Sequence, residues 1–229
     1  MVPTLLYLLI KKFRRQDWGK IKKAFISRLF IRRNQVIATL VILMLLVSLV
    51  LTAQKQIRNY KVMRKGSEIG WVTLLKQTDS STATISLESE IKTKFIFTFS
   101  SAAKEVSEFR YGRLWHSYFY RKVNGNVKAD RNTQLSGNSY EVNERSGKTT
   151  LNLLPVTFNT LCMYFQEPVN LKQVYSDNQQ SFLDIRKEPD GAYTINFPDG
   201  STNSFYYSSG VCYKVKVEST FYSAVLLLK

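Results

Sequence analysis

The side chains able to do chemistry are few and scattered. His116 is the one histidine in 229 residues, and it stands between Trp115 and Ser117 in a strand-like run. An imidazole titrates near neutrality, but general acid–base work needs a partner within hydrogen-bond reach, and no carboxylate stands at a short fixed spacing from it. A lone strand histidine of this kind reads as structural. Glu88 and Glu90 share one face of an alternating run and could resemble a paired acid. Lys92 and Lys94 continue that face, so the four read as a solvated ladder of charges. Cys162 and Cys212 lie 50 residues apart, and spacing alone does not say whether they pair. No Cys/His cluster has metal-ligand spacing, no serine sits in a nucleophile elbow, and no glycine loop opens a helix in phosphate-binding fashion. These residues predict a protein that is not an enzyme and carries neither metal nor cofactor.

Aromatic side chains are what remain. Small-molecule pockets are mostly apolar and aromatic, and they favour the mouths of barrels. Phe95, Phe97 and Phe99 alternate along one strand-like run, and Trp115, Phe158 and Phe165 follow downstream. These six are the expected lining of a cavity for an apolar ligand. The plainer reading is that they fill the core of a large sheet.

The elements that must position them begin after residue 54. Turn signals recur at short intervals: Gly66 and Gly70, Asn124-Gly125, Ser136-Gly137-Asn138, Ser146-Gly147, Asp190-Gly191, Asp199-Gly200 and Ser209-Gly210. Between them lie runs rich in Val, Ile, Thr, Tyr and Phe, the pattern of an antiparallel meander. From Thr84 to Phe99 the odd positions are mostly apolar and the even ones mostly polar, a period of two held for sixteen residues. One strand of that length would reach about 53 Å, beyond the usual range, and would have to bend. The expected fold is therefore mainly β: a strongly curled antiparallel sheet, half-barrel or barrel. Val211, Tyr213, Val215 and Val217 alternate with Cys212, Lys214, Lys216 and Glu218, which puts Cys212 on the polar face. One short helix is expected over 156–165, where Phe158, Leu161, Cys162 and Phe165 follow helical spacing between Pro155 and Pro168. It would sit in the opening of the sheet.

The segment 34–54 is uncharged, and its centre, Val36 to Leu51, is almost purely aliphatic. At sixteen residues it falls between a signal-peptide core of roughly 7–15 and a spanning helix of about 20. It predicts an N-terminal hydrophobic helix, either cleaved as a signal or kept as a single anchor. The twenty residues before Asn34 hold eight Lys/Arg and the twenty from Lys55 hold five, so the domain is expected outside the inner membrane, in the periplasm. Residues 1–33 form a basic leader longer than a signal peptide needs, as a start placed too far upstream would produce. The expected organisation is thus leader, hydrophobic segment 34–54, and one β domain over 55–229.

The formal charge is +16, but the first 53 residues hold ten of the 33 basic residues and one of the 17 acids, leaving +7 for the rest. Both signs are interspersed there, which argues against nucleic acid and leaves some attraction to anionic lipid headgroups.

Tyr60-Lys61-Val62-Met63-Arg64-Lys65-Gly66-Ser67-Glu68-Ile69-Gly70, the strand Ser86–Phe97, the stretch from Pro155-Val156-Thr157-Phe158 to Tyr164-Phe165-Gln166-Glu167-Pro168, and Phe197-Pro198-Asp199-Gly200 together resemble an uncharacterised domain-of-unknown-function family of Gram-negative envelope proteins. The likeness covers about 57–229. It implies a secreted curled-sheet domain without an established activity, with a looser similarity of fold to periplasmic lipoprotein carriers. Two functions are consistent with all this: binding of an apolar or lipid-like ligand, or a structural or interaction module of the envelope with a solid core and an unknown protein partner.

Overall fold

A computed structural model describes residues 54–94, 98–219 and 222–229. Alternating sequence and tight turns give fourteen strands: β1 (Gln54–Arg64), β2 (Ser67–Thr78), β3 (Thr82–Lys94), β4 (Thr98–Arg110), β5 (Arg113–Val123), β6 (Asn126–Ser136), β7 (Ser139–Glu144), β8 (Gly147–Leu151), β9 (Gln173–Ser176), β10 (Ser181–Lys187), β11 (Tyr193–Asn196), β12 (Thr202–Ser208), β13 (Val211–Glu218) and β14 (Ser223–Leu228). They form one sheet ordered β8-β7-β6-β5-β4-β3-β2-β1-β14-β13-β12-β11-β10-β9. Every strand pair is antiparallel. Two meanders, β1–β8 and β9–β14, are stitched together where the last strand pairs with the first, Tyr60 opposite Leu228. The Asn124-Gly125 turn between β5 and β6 has φ of 48° and 82°, the pair of positive values that a two-residue hairpin of matching twist requires.

Closure and tight curling are not what this sheet does. Its edge strands β8 and β9 are not neighbours in the hydrogen-bonded order, so the sheet is open. The inference from a single sixteen-residue strand also fails, because the chain reverses within it. Lys94 pairs with Thr98, and the register continues through Ile85↔Ser107 to Thr82↔Arg110. A three-residue connection of this kind pairs odd positions with odd ones. The period of two therefore carries over from one strand to the next, and Phe95 and Phe97 lie outside the described residues.

The expected helix shrinks to one 3-10 turn, Cys162–Tyr164. Residues 158–160 instead run beside β9, with Asn159 bridged in parallel to Tyr175 and Phe158 and Thr160 bonded to the Tyr175 backbone. Val156, Leu161, Met163, Tyr164 and Phe165 are all buried. Of the four helix-spaced residues only Leu161 and Phe165 are buried, with Phe158 and Cys162 half-buried, so the spacing marks no helix face. The segment packs into the core between the two meanders: the Tyr164 ring stands edge-on to Tyr60 of β1 at 5.6 Å and to Phe205 of β12 at 5.4 Å.

Cys212 lies in this core, not on the polar face. Tyr206 pairs with Lys214 but Tyr207 with Cys212, so Tyr213 is an inserted residue. That bulge turns Cys212 inward beside Val215, and both are fully buried. Cys162 and Cys212 are free thiols. Among the described residues no helix is long and apolar enough to cross a membrane. The run at 34–54, its expected helix and the leader lie outside them, save Gln54, the first residue of β1.

Candidate functional site

Odd-numbered residues of β3 and β4, and of β5 from Ser117 onward, face the interior, as buried Ile85, Leu87, Ser107, Phe109, Ser117 and Phe119 show; a bulge at Trp115 turns even-numbered Leu114 inward at the start of β5. Three of these inward positions are small: Ser89 pairs with Ala103, and Ile91 with Ser101. Little volume on two adjoining strands leaves a cavity of about 230 Å³. Leu87, Ile91 and Phe119 wall it from one meander, Phe197, Asn203 and Phe205 from the other, and Leu161 and Tyr164 from the segment between. A second cavity, of about 380 Å³, includes Gln179, Ser201, Val217 and Tyr222 in its lining. Arg121, Asn178, Phe197 and Asn203 line both, so the two are lobes of one cleft. The inner lobe is the more apolar, and Arg121 stands at the junction.

Glu105 shares the inner lobe. It pairs with Phe119 across the ladder, and Arg121 pairs with Ala103, so Glu105 and Arg121 are diagonal neighbours on one face. Burial pushes the Glu105 carboxyl up to about 8, Asp177 adds to the rise, and Arg121 opposes it. The residue is only half-buried by exposed area because it borders the cavity, yet protein surrounds it closely enough for desolvation to dominate. A carboxyl whose folded pKa is raised favours the folded state most when protonated. Its contribution is complete below the ordinary value of 4.5 and is lost as pH rises through about 8. Glu105→Gln should therefore match wild type in urea unfolding at about pH 5 and exceed it at about pH 9. A parallel loss in both proteins would remove Glu105 as the cause.

Behind the cleft lies a buried polar network. Ser117 Oγ donates to Asp177 at 2.5 Å, and Asn159 Nδ2 donates to Asp177 at 3.1 Å and to Ser107 at 2.7 Å. Arg131 Nη1 donates to the carbonyls of Asp177 at 2.7 Å and Asn178 at 3.2 Å, while its Nε lies 3.0 Å from Glu144. Burial raises the Asp177 carboxyl, against the pull of these hydrogen bonds. The network ties β4 to β7 to the turn after β9. The Cys162 thiol at its margin is raised to about 11 by burial, and Cys212 to about 12, so neither is a ready nucleophile.

The six aromatic residues expected to line a cavity do not converge on this one. Phe95 and Phe97 lie outside the described residues. Phe99, half-buried on β4, reaches only the wall of the outer lobe, its ring 6.4 Å from that of Tyr222. Trp115 lies under the Arg110 guanidinium at 4.5 Å. Phe158 packs against the core from its margin, and Phe165 is buried in it, with Lys76 Nζ 6.0 Å from the ring. His116 points to the opposite face of β5 from Ser117, 3.8 Å from Glu108 and 3.3 Å from Asn132. Glu88 and Glu90 pair with Lys104 at 3.0 Å and Lys92 at 2.6 Å on the solvated face. Glu105, Arg121, Asn178 and Asn203 were missed. Carrying the odd-position alternation past Phe99 would have placed Glu105 inside.

The family described as Domain of unknown function (DUF6134) matches residues 60–229. The chain belongs to this family. The DUF6134 domain thus takes in nearly the whole sheet, the cleft and the polar network. Among solved structures it is similar to the crystal structure of a beta-barrel-like protein of domain of unknown function DUF1849 from Brucella abortus, at 12% identity and a TM-score of 0.46, over 78% of this chain and 96% of that one. No curated protein matches the DUF6134 chain.

Proposed function

We propose that this DUF6134 protein is a non-enzymatic envelope protein that holds an amphipathic, lipid-like ligand in the cleft between its two meanders. The observation that carries the reading is the two-lobed shape with Arg121 at the join. An apolar tail fits the inner lobe against Leu87, Ile91, Leu161 and Phe205. A polar or anionic head meets Arg121, Asn178 and Asn203 where the lobes meet. Neutral Glu105 adds a hydrogen-bond donor without a repelling charge near neutral pH. Delivery across the inner membrane by the run at 34–54 is part of the same reading, as a cleaved signal or as an anchor.

Native mass spectrometry of protein purified from cells tests it. Wild type should carry a co-purifying amphiphile. Ala103→Phe, which fills the inner lobe, should lose it while keeping a cooperative unfolding transition. A reproducibly empty wild type would remove the proposal. The second reading, an interaction module of the envelope, draws on β8: Gly147 to Thr150 are exposed on a strand at the sheet's edge, where an extended partner segment could add. Recovery of a stoichiometric partner by an empty protein would favour it.

A further inference from the structure

Gln54 pairs with Thr78, so β1 begins at the end that holds the β2–β3 turn. The Tyr111 amide donates to the Ser81 carbonyl at 2.8 Å, and the Leu114 amide to Val156 at 2.8 Å. These bonds bring the β4–β5 hairpin tip and the segment around Leu154 to the same end. Tyr111 is 89% exposed, Leu154 76% and Ile57, on the first turns of β1, 53%. Val169, 58% exposed, follows Phe165 in the loop that Lys76 covers. Tyr111 also holds φ at 50°, a conformation that suits asparagine or glycine and is costly for a bulky side chain. Lys55, Arg58, Lys76, Arg110 and Arg113 lie at this end of β1, β2, β4 and β5, Lys55 and Arg110 exposed and the other three half-buried. The acids at this end are engaged: Asp79 by the Ser80 amide at 2.6 Å, Glu167 by Tyr193 at 2.9 Å, Glu188 by Arg186 at 2.8 Å and Asp190 by Tyr206 at 3.0 Å.

We propose that this end of the sheet docks on a bilayer surface rich in anionic lipid. Tyrosine and short aliphatic side chains at hairpin tips suit the boundary between headgroups and acyl chains. A ring of Lys and Arg with long apolar stems places its charge at the phosphates. Charge complementarity and chain continuity both select this occupant: the uncharged, largely aliphatic run 36–51 joins the domain at Gln54, on the docking end. The cleft opens toward the other end, where Ser219 and Tyr222 line it. Docking and ligand binding therefore use separate surfaces, and the docking end does not depend on what the cleft holds.

The test uses the full chain in vesicles of phosphatidylethanolamine and phosphatidylglycerol, with a benzophenone amino acid replacing Tyr111 or Leu154 at this end, or Lys65 or Asn124 at the tips of the opposite end. Photolysis should give lipid adducts from positions 111 and 154 and only background from 65 and 124. Adduct at 111 should fall in vesicles of phosphatidylcholine alone, and in an Arg110→Gln/Arg113→Gln background. Equal lipid adduct at both ends would overturn the proposal, as would cross-linking of position 111 to a second copy of the chain. All four positions are exposed; the Asn124 replacement gives up the bond its side chain accepts from the Ser100 amide, so each variant is used only where its urea unfolding is cooperative and matches wild type. Loss of the co-purifying amphiphile in Ala103→Phe should leave the adduct pattern unchanged, which separates failure of one proposal from failure of the other.

Discussion

Gly70→Ala is expected to destabilise the domain by about 3 kcal/mol or more, the upper end of what overpacking costs. A Cβ at Gly70 would stand 2.8 Å from the Ile91 Cα and 3.0 Å from the Glu90 carbonyl carbon, and nearer still to the Glu90 oxygen. Ordinary carbon contacts lie at about 3.5–4.0 Å, and here the obstacle is backbone, which no rotamer change relieves. The neighbouring ladder leaves no slack. Val62 pairs with Gly70 while Met63 pairs with Glu68, so Ile69 is an inserted residue and β2 already bends at this point. Pushing β3 away would break the Gly70↔Ile91 pairing beside the inner lobe. Urea unfolding of Gly70→Ala against wild type checks this. A change below about 1 kcal/mol would mean the two strands are further apart than described.

Asp177→Ala should be nearly as damaging, at about 2–3 kcal/mol, since a buried donor left without its acceptor costs about 1–3 kcal/mol. The mutation leaves the Ser117 hydroxyl without its acceptor and Asn159 with one bond fewer. Both residues are buried, Asn159 completely, so water does not replace what is lost. The effect is not local, because Asn159 also holds Ser107, and Arg131 holds the backbone of residues 177 and 178. The turn after β9 would lose its side-chain tie to β5 and, through Asn159, to β4, leaving the Arg131 bonds to its backbone as the remaining attachment to β6. Asp177→Asn should cost less, since its amide keeps an oxygen for one of the two donors. If Asp177→Ala and Asp177→Asn unfold at the same denaturant concentration, the hydrogen bonds are not what the residue supplies.

These residues also mark how far the chain could be read in advance. The two-residue turns at Asn124-Gly125 and Ser209-Gly210 were legible, because positive φ at both positions selects those residue types. Tyr111-Gly112 does the same with φ of 50° and 74°, but tyrosine is no turn signal, and the hairpin passed unnoticed. The pairing of Lys94 with Thr98 was hidden by its own arithmetic, since odd positions face odd positions across it. Cys212 was misplaced because a single inserted residue, Tyr213, shifts the alternation without any mark in composition. Asp177, by contrast, is one acid among 17, and only the partners gathered round it show that it is structural.

What the sequence determined by itself is local in origin. Alternation follows from the pleat, whose period of two is the same in every strand, and turns follow from the few residues that tolerate positive φ. These are enough for an antiparallel β domain after residue 54 and for an uncharged run before it. The tertiary structure decided everything that depends on which strands face one another. Ala103 and Asn203 are 100 residues apart in the chain and line the same lobe. Small side chains make a cavity only when the opposing meander does not fill the space they leave. Alternation can put Glu105 on the inward face, but its raised pKa arises from burial and from Asp177, 72 positions away. Desolvation and packing are sums over neighbours in space, and the long-range pairing of β14 with β1, which joins the two meanders, sets those neighbours.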